Sequence, residues 1–238
     1  MAGDLDTTMQ RASEALACMD YLTCERLCLE ALAKARGESN WPYYRRILLP
    51  LQESRRQRRM IAADGCIRLG TADLDEDVLS WLDQLGAGCI AVTWPHTVET
   101  ARQLSQIAMD RRLYVEVLFV DCAADVAQWA IQSYRGPHVR CIWPAPSDSW
   151  INRWLSPPTD YPVTVPSQPV RSADQLNLPL YPADWFLDAC EALGDTALTQ
   201  VGADLNGSDR VEALEKCLEV VTDHEILHQR LGDAAASC

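Results

Sequence analysis

The chain has 238 residues, of which 48% are hydrophobic and 23% are charged, so it is long enough to bury a core, and its composition argues against wholesale disorder. The formal net charge of −13 argues against a general nucleic-acid binder and against a protein that binds anionic membranes, because both need basic surfaces. We therefore expect a globular protein whose partners do not include nucleic acid.

The first region, residues 1–63, has the periodicity of helices. Apolar residues recur every three or four positions on both sides of a short turn at Asp20-Tyr21, which predicts a helical hairpin. A third helix is expected over 42–61, and Pro50 should kink or divide it.

The second region, residues 64–155, alternates strand and helix patterns. Short runs of β-branched and apolar residues predict strands at 66–69, 89–94, 113–120 and 139–143. The segments between them predict helices at 73–85, 97–111 and 123–133. Strands that alternate with helices imply right-handed crossovers, so we expect a small, mostly parallel four-stranded sheet in an α/β domain.

The third region begins with a connector at 156–182 that holds seven of the 13 prolines, a composition typical of an extended segment. Helical periodicity returns over 183–238 and predicts a second helical-hairpin segment. The expected architecture is therefore an α/β domain flanked by helical hairpins at both ends.

Targeting and redox features are also informative. No stretch approaches the roughly 20 apolar residues of a membrane span, and the acidic N-terminal residues lack the apolar run of a secretory signal. The ten cysteines are scattered and include no CxxC pair. We expect a cytoplasmic protein with reduced cysteines, no contact with a membrane, and no bound cofactor.

Both helical ends resemble tetratricopeptide repeats. The Asp20-Tyr21 turn, the small residue Cys24 and the pair Ala31-Leu32 match the inter-helix turn and second helix of that family. At the other end, Leu-Gly-Asp-Thr-Ala from Leu193 recurs 38 residues later as Leu-Gly-Asp-Ala-Ala from Leu231, and the Leu-Gly pair is typical of the first helix. The resemblance implies a surface that binds peptides or partner proteins.

An arginine-rich segment stands out against the acidic chain. Residues 41–70 carry seven arginines against two acids, a net charge of +5, so the remainder totals −18. The candidates for partner binding are Arg45, Arg46, Arg55, Arg56, Arg58 and Arg59. Guanidinium groups pair well with carboxylates, which predicts a dock for a protein or acidic peptide partner. The alternative is a solvated helix face that pairs with the acidic bulk of the same chain.

The sequence His224-Glu225-Ile226-Leu227-His228 satisfies the HExxH pattern. On a helix, the two histidines of this pattern can ligate zinc while the glutamate acts as general base. The third histidine of the extended motif is absent, because Leu231 and Ala234 occupy those places. The same residues also suit an ordinary helix of a terminal hairpin, with Leu227 packed inward.

Polar residues follow the predicted strands at the edge where open α/β sheets bind ligands. They are Thr71, Thr93, His96 and Asp121, and the Asp121 carboxylate can act as a base or hold Mg²⁺. Thr71 and Asp121 also suit the capping of following helices, which is the interpretation that the sequence favours. No glycine-rich phosphate loop and no nucleophile elbow is present.

The sequence thus favours a non-catalytic adaptor or scaffold over an enzyme, because no catalytic motif is complete. The alternative is an enzyme or small-ligand-binding protein that uses the edge residues, or a zinc hydrolase that uses His224, Glu225 and His228.

Overall fold

Helices at both ends of the chain and strands between them produce a mixed α/β fold. The computed structural model describes residues 2–64, 66–69, 82, 87–93, 96–121, 128–145, 164–166 and 182–238. The helices are α1 (Ala2–Ala17), α2 (Tyr21–Gly37), α3 (Trp41–Asp64), α4 (Val98–Asp110), α5 (Pro182–Thr199), α6 (Gly207–Leu218) and α7 (Glu225–Ala236). The strands are β1 (Cys66–Leu69), β2 (Ala87–Val92), β3 (Tyr114–Asp121), β4 (Gln128–Gln132), β5 (Arg140–Pro144) and β6 (Thr164–Pro166).

The chain divides into two compact units. Met1–Arg58 and Ala197–Cys238 form one, which we name the helical unit, and Arg59–Thr196 form the other, the sheet unit.

In the helical unit, α1 and α2 flank the predicted turn. Asp20 is the N-cap of α2, and its carboxylate accepts a hydrogen bond from the Thr23 backbone N–H at 3.1 Å, which satisfies a donor that the helix start leaves unpaired. The expected division of α3 at Pro50 is wrong, because the helix continues through it. Neighbouring Ile47 and Leu51 are fully buried, and such packing outweighs the loss of one backbone hydrogen bond.

The two ends of the chain meet within the helical unit. The Tyr44 hydroxyl of α3 donates to the Glu215 carboxylate of α6 at 2.6 Å, and the Arg36 guanidinium of α2 lies 3.5 Å from the same carboxylate. Buried apolar side chains on these three helices include Leu27, Ala31, Ile47, Leu51, Leu214 and Leu218. Segments from opposite ends of the sequence therefore build one helical assembly.

Among the described residues of the sheet unit, six strands lie in the order β5-β4-β3-β2-β1-β6. The pairs β1–β2 and β2–β3 are parallel, whereas β3–β4, β4–β5 and β1–β6 are antiparallel. The mixed α/β class is confirmed, and the mostly parallel four-stranded sheet is wrong.

The strand β4 is the reason for this difference. It occupies Gln128–Gln132, where the sequence predicts a crossover helix over 123–133. The four predicted strands do run in one direction, since β5 is reversed twice relative to β3. The inserted strand separates β3 from β5, and Gly136, with φ of 64°, allows the chain to turn back between β4 and β5.

Helices α4 and α5 cover opposite faces of the sheet. Leu104 of α4 packs in a buried cluster with Val117 of β3. Trp185 of α5 meets Trp129 of β4 edge to face, with ring centroids 5.5 Å apart. The register of β3 and β4 places Trp129 on the face opposite Val117, because successive side chains of a strand alternate between faces. The sheet is therefore covered on both sides.

Two predicted elements fall largely outside the described residues. Of the helix at 73–85 the structure describes Leu82 alone, and of the connector at 156–182 it describes only β6 and the start of α5. Among the helices that are described, none combines the length and the apolar character needed to cross a membrane.

Candidate functional site

Two arginines of the predicted patch are buried in an ion-pair network. On α3, the Arg55 Nε and the Arg58 Nη1 lie 2.8 Å and 2.7 Å from the two carboxylate oxygens of Glu25 on α2. The three side chains expose only 5–10% of their surface. Arg55 also donates from Nη1 to the backbone carbonyl of Thr222 at 3.0 Å. These charges stabilise the interior of the helical unit and do not form a docking surface.

Two further arginines of the patch are engaged elsewhere. In the sheet unit, the buried Arg59 lies 3.7 Å from the Glu191 carboxylate. Arg56 is exposed and donates from Nε to Glu53 at 3.0 Å. Among the described residues, Arg45 and Arg46 form no ion pair, although the Arg46 guanidinium stacks 5.1 Å from the Tyr43 ring centroid. Of the six predicted arginines, Arg45 and Arg46 are thus the exposed ones that have no ion pair among the described residues.

Those two arginines line a groove between α3 and α7, with a volume of about 460 Å³. Helix α3 also contributes Leu49, which is 73% exposed, and α7 contributes His228 and Asp233. The groove therefore combines two exposed guanidinium groups, one carboxylate and an exposed apolar side chain. Its charge is net positive on a chain whose total is −13.

The two histidines of the HExxH pattern differ in position. His224 precedes α7 as its N-cap, and its Nδ1 accepts a hydrogen bond from the Leu227 backbone N–H at 3.2 Å. Glu225 is exposed and accepts from Gln229 at 2.9 Å. No group of three or more His, Cys, Asp or Glu that could hold a metal ion occurs in the described part of the chain. The local geometry uses the pattern to begin a helix.

His228 occupies the junction between the groove and the buried network. It is 3% exposed, and its Nε2 lies 3.0 Å from the Thr222 carbonyl oxygen that also accepts from Arg55. Burial lowers the pKa of His228 to about 4, and the nearby Arg55 charge acts in the same direction. The ring is therefore neutral near pH 7, with its proton on Nε2. The sequence analysis predicted neither this buried, neutral state of His228 nor the pairing of Glu25 with the two arginines.

The lowered pKa predicts a pH-dependent loss of stability. As the pH falls, the unfolded chain takes up a proton at His228 near its ordinary pKa of 6.5, whereas the folded protein resists until about 4. Above pH 6.5 the His228 ring is neutral in both states and does not lower the free energy of unfolding. As the pH falls toward 4, the free energy of unfolding decreases by about 3 kcal/mol.

Urea denaturation of wild type and His228→Gln between these pH values measures the effect. Glutamine can still donate to the Thr222 carbonyl but does not titrate. The stability gap between the two proteins should shrink with acidification. An unchanged gap would contradict the account of His228.

The sheet-edge candidates occupy one end of the parallel strands. Thr71 lies outside the described residues. Asp121 ends β3, and Thr93 follows β2, level with the residue before Asp121 in the register. The His96 backbone N–H donates to the Thr93 carbonyl at 3.0 Å. The expected helix cap at Asp121 stays a prediction, because residues 122–127 lie outside the described part of the chain, which resumes with β4 at Gln128.

Fold and site together define a mixed α/β protein whose helical unit carries a positively charged groove. No protein-family model, curated protein or solved structure matches the chain. The geometry of the groove is therefore the basis for a functional inference.

Proposed function

We propose that the protein is a non-catalytic interaction module that binds a short acidic segment of a partner protein in the groove between α3 and α7. The observation that carries this proposal is the pair of exposed arginines, Arg45 and Arg46, that have no carboxylate partner among the described residues. On a strongly acidic chain, unpaired cations beside an apolar side chain favour a ligand that brings carboxylates and an apolar residue of its own.

The helical hairpins support the same interpretation. The α1–α2 turn carries the Asp20 cap, and Cys24, which stands at the small-residue position of the tetratricopeptide resemblance, is fully buried. Proteins of that class bind peptides on helical surfaces. Extending this property to the groove is part of the proposal.

The apolar contact selects a peptide over a simple anion. Leu49 exposes 73% of its surface, and Leu48, which is 5% exposed, also lines the groove. A side chain of the partner that covers Leu49 removes apolar surface from water, which a small anion does not do. Charge and apolar contact together therefore define an acidic peptide with at least one large apolar side chain.

Catalysis receives no comparable support from the described residues. Thr93 and Asp121 lie at the same edge of the sheet, and the HExxH histidines serve in a helix cap and a backbone contact. The adaptor hypothesis is therefore the one that the groove favours.

Charge reversal at the groove tests the proposal. The probe is a labelled peptide of Glu, Asp and Leu, with a matched peptide in which the acids are amides. Wild type should bind the acidic peptide more tightly, and Arg45→Glu with Arg46→Glu should weaken that binding by about tenfold or more, because attraction becomes repulsion. Fluorescence anisotropy measures both affinities, and added salt should weaken binding to wild type.

The control is Arg26→Glu with Arg56→Glu, which changes net charge equally at exposed arginines that do not line the groove. The control variant should bind nearly as wild type does. Equal losses in both double variants would show a general charge effect and would remove the groove from the account.

A further inference from the structure

His228 has one ring nitrogen that the protein engages and one that it does not. Its Nε2 lies 3.0 Å from the Thr222 carbonyl oxygen, which can only accept, so Nε2 carries the proton and donates. Nδ1 then holds a lone pair, and within the described structure this buried atom has no hydrogen-bond partner. Because a buried acceptor without a donor is costly, the site favours a ligand that brings one.

The buried network holds the ring in this state. The Thr222 carbonyl accepts from Arg55 at 3.0 Å as well as from His228, and Arg55 is held by Glu25 at 2.8 Å. The positive charge of Arg55 disfavours a second proton on the ring, and neighbouring His224 acts in the same direction while Glu25 opposes it. His228 is thus a fixed, neutral acceptor that lines a groove edged by guanidinium groups.

We propose that His228 selects the ligand of the groove by accepting, at Nδ1, a hydrogen bond from an N–H group of the bound acidic peptide. The inference rests on the proposed function and adds a second requirement to it. A peptide supplies carboxylates for Arg45 and Arg46 and a backbone N–H for Nδ1. A sulfate ion supplies only acceptors, which the lone pair of Nδ1 repels.

A ligand reaches Nδ1 only if side chains at the edge of the groove move, because this atom is buried. Arg45, Leu49 and Gln229 are exposed and line the same groove as His228, so they are free to move. Their rearrangement on binding is an ordinary side-chain adjustment.

An N-methyl scan tests the inference. The labelled Glu/Asp/Leu peptide is compared with versions in which one backbone amide at a time is methylated, and sulfate serves as a competitor. Wild type should bind one methylated version about tenfold more weakly than the parent, since a single hydrogen bond to a buried acceptor is lost. Sulfate should compete only weakly.

Two substitutions of His228 separate its two nitrogens. The amide nitrogen of His228→Gln can replace Nε2 toward Thr222, but its acceptor oxygen is bonded to Cδ, one bond farther from the backbone than Nδ1. This variant should therefore bind the parent peptide about tenfold more weakly and bind all methylated versions equally. The oxygen of His228→Asn can replace Nδ1, so this variant should keep part of the discrimination.

The outcomes distinguish the two proposals. The inference is supported if wild type discriminates between the parent peptide and a methylated version and His228→Gln does not. If the parent peptide binds in the groove but wild type and His228→Gln respond identically to methylation, the inference is overturned and the proposed function stands. If wild type does not bind the parent peptide at all, both are overturned.

Discussion

Replacement of Glu25 by glutamine is expected to lower the free energy of unfolding of the helical unit by about 3–5 kcal/mol. The two oxygens of this carboxylate accept from Arg55 at 2.8 Å and Arg58 at 2.7 Å, in a site where all three side chains are almost wholly buried. The neutral amide removes the countercharge that Glu25 supplies to two buried guanidinium groups, and a buried charge that loses its partner is strongly unfavourable.

The matched control is Glu30→Gln on the same helix. Glu30 pairs with Arg26 in an ion pair in which both side chains are more than half exposed, so its loss should cost less than about 1 kcal/mol. Hydrogen exchange of the α2 amides, measured at increasing urea concentrations, reports the free energy of unfolding of the helical unit. Similar losses for the two variants would show that the Glu25 network is not the buried ion cluster described above.

Replacement of Trp185 by alanine is expected to destabilise the sheet unit by about 3–5 kcal/mol. Trp185 is fully buried, packs edge to face on Trp129 and donates from Nε1 to the Pro144 carbonyl at 2.7 Å. Alanine removes the apolar contact with β4, leaves a cavity and deprives a carbonyl at the end of β5 of its donor.

Trp185→Phe separates these contributions, because it keeps an aromatic ring and removes the hydrogen bond. It should cost less than the alanine variant. Hydrogen exchange of β3 and β4 amides measures both effects in the sheet unit. If the β3 and β4 amides of Trp185→Ala exchanged as slowly as those of wild type, the packing of α5 against the sheet would be contradicted.

Much of the secondary structure is predictable because its signals are local. Helix α4 is expected over 97–111 and runs over Val98–Asp110, with Thr97 at its N-cap, where the backbone N–H donates to the Thr100 hydroxyl at 3.3 Å. Strand β3 is expected over 113–120 and runs over Tyr114–Asp121. Periodicity and capping chemistry are both written in adjacent residues, so a sequence alone displays them.

The missed strand shows how a correct local pattern leads to a wrong sheet. Several alanines over 123–133 favour a helix, and a helix at that place implies a crossover and hence parallel strands. Trp129 and Ile131 alternate as strand residues do, and Gly136-Pro137 is a turn signal between them and β5. The same segment therefore carries both a helix signal and a hairpin signal, and pairing with β3 and β5 selects the hairpin.

The local excess of arginine over acidic residues reveals the arginine patch. Which of its arginines are buried and which are exposed depends on tertiary structure. Tyr44, Ile47 and Leu51 form the buried stripe of α3, and Arg55 and Arg58 continue it at the same helical spacing. That spacing is a readable signal of burial. The partner Glu25 lies 30 residues away from Arg55 along the chain, and no local pattern predicts such a pairing.

The most direct test of the proposed groove is to observe where the acidic peptide binds. Nuclear magnetic resonance of labelled protein, titrated with the Glu/Asp/Leu peptide, follows the Leu49 methyl groups, the Arg45 and Arg46 guanidinium signals and the His228 ring nitrogens together. We predict saturable shifts at these four residues, with comparatively small changes in the sheet unit. Binding accompanied by shifts only in the sheet unit, or by none at the groove, would contradict the account.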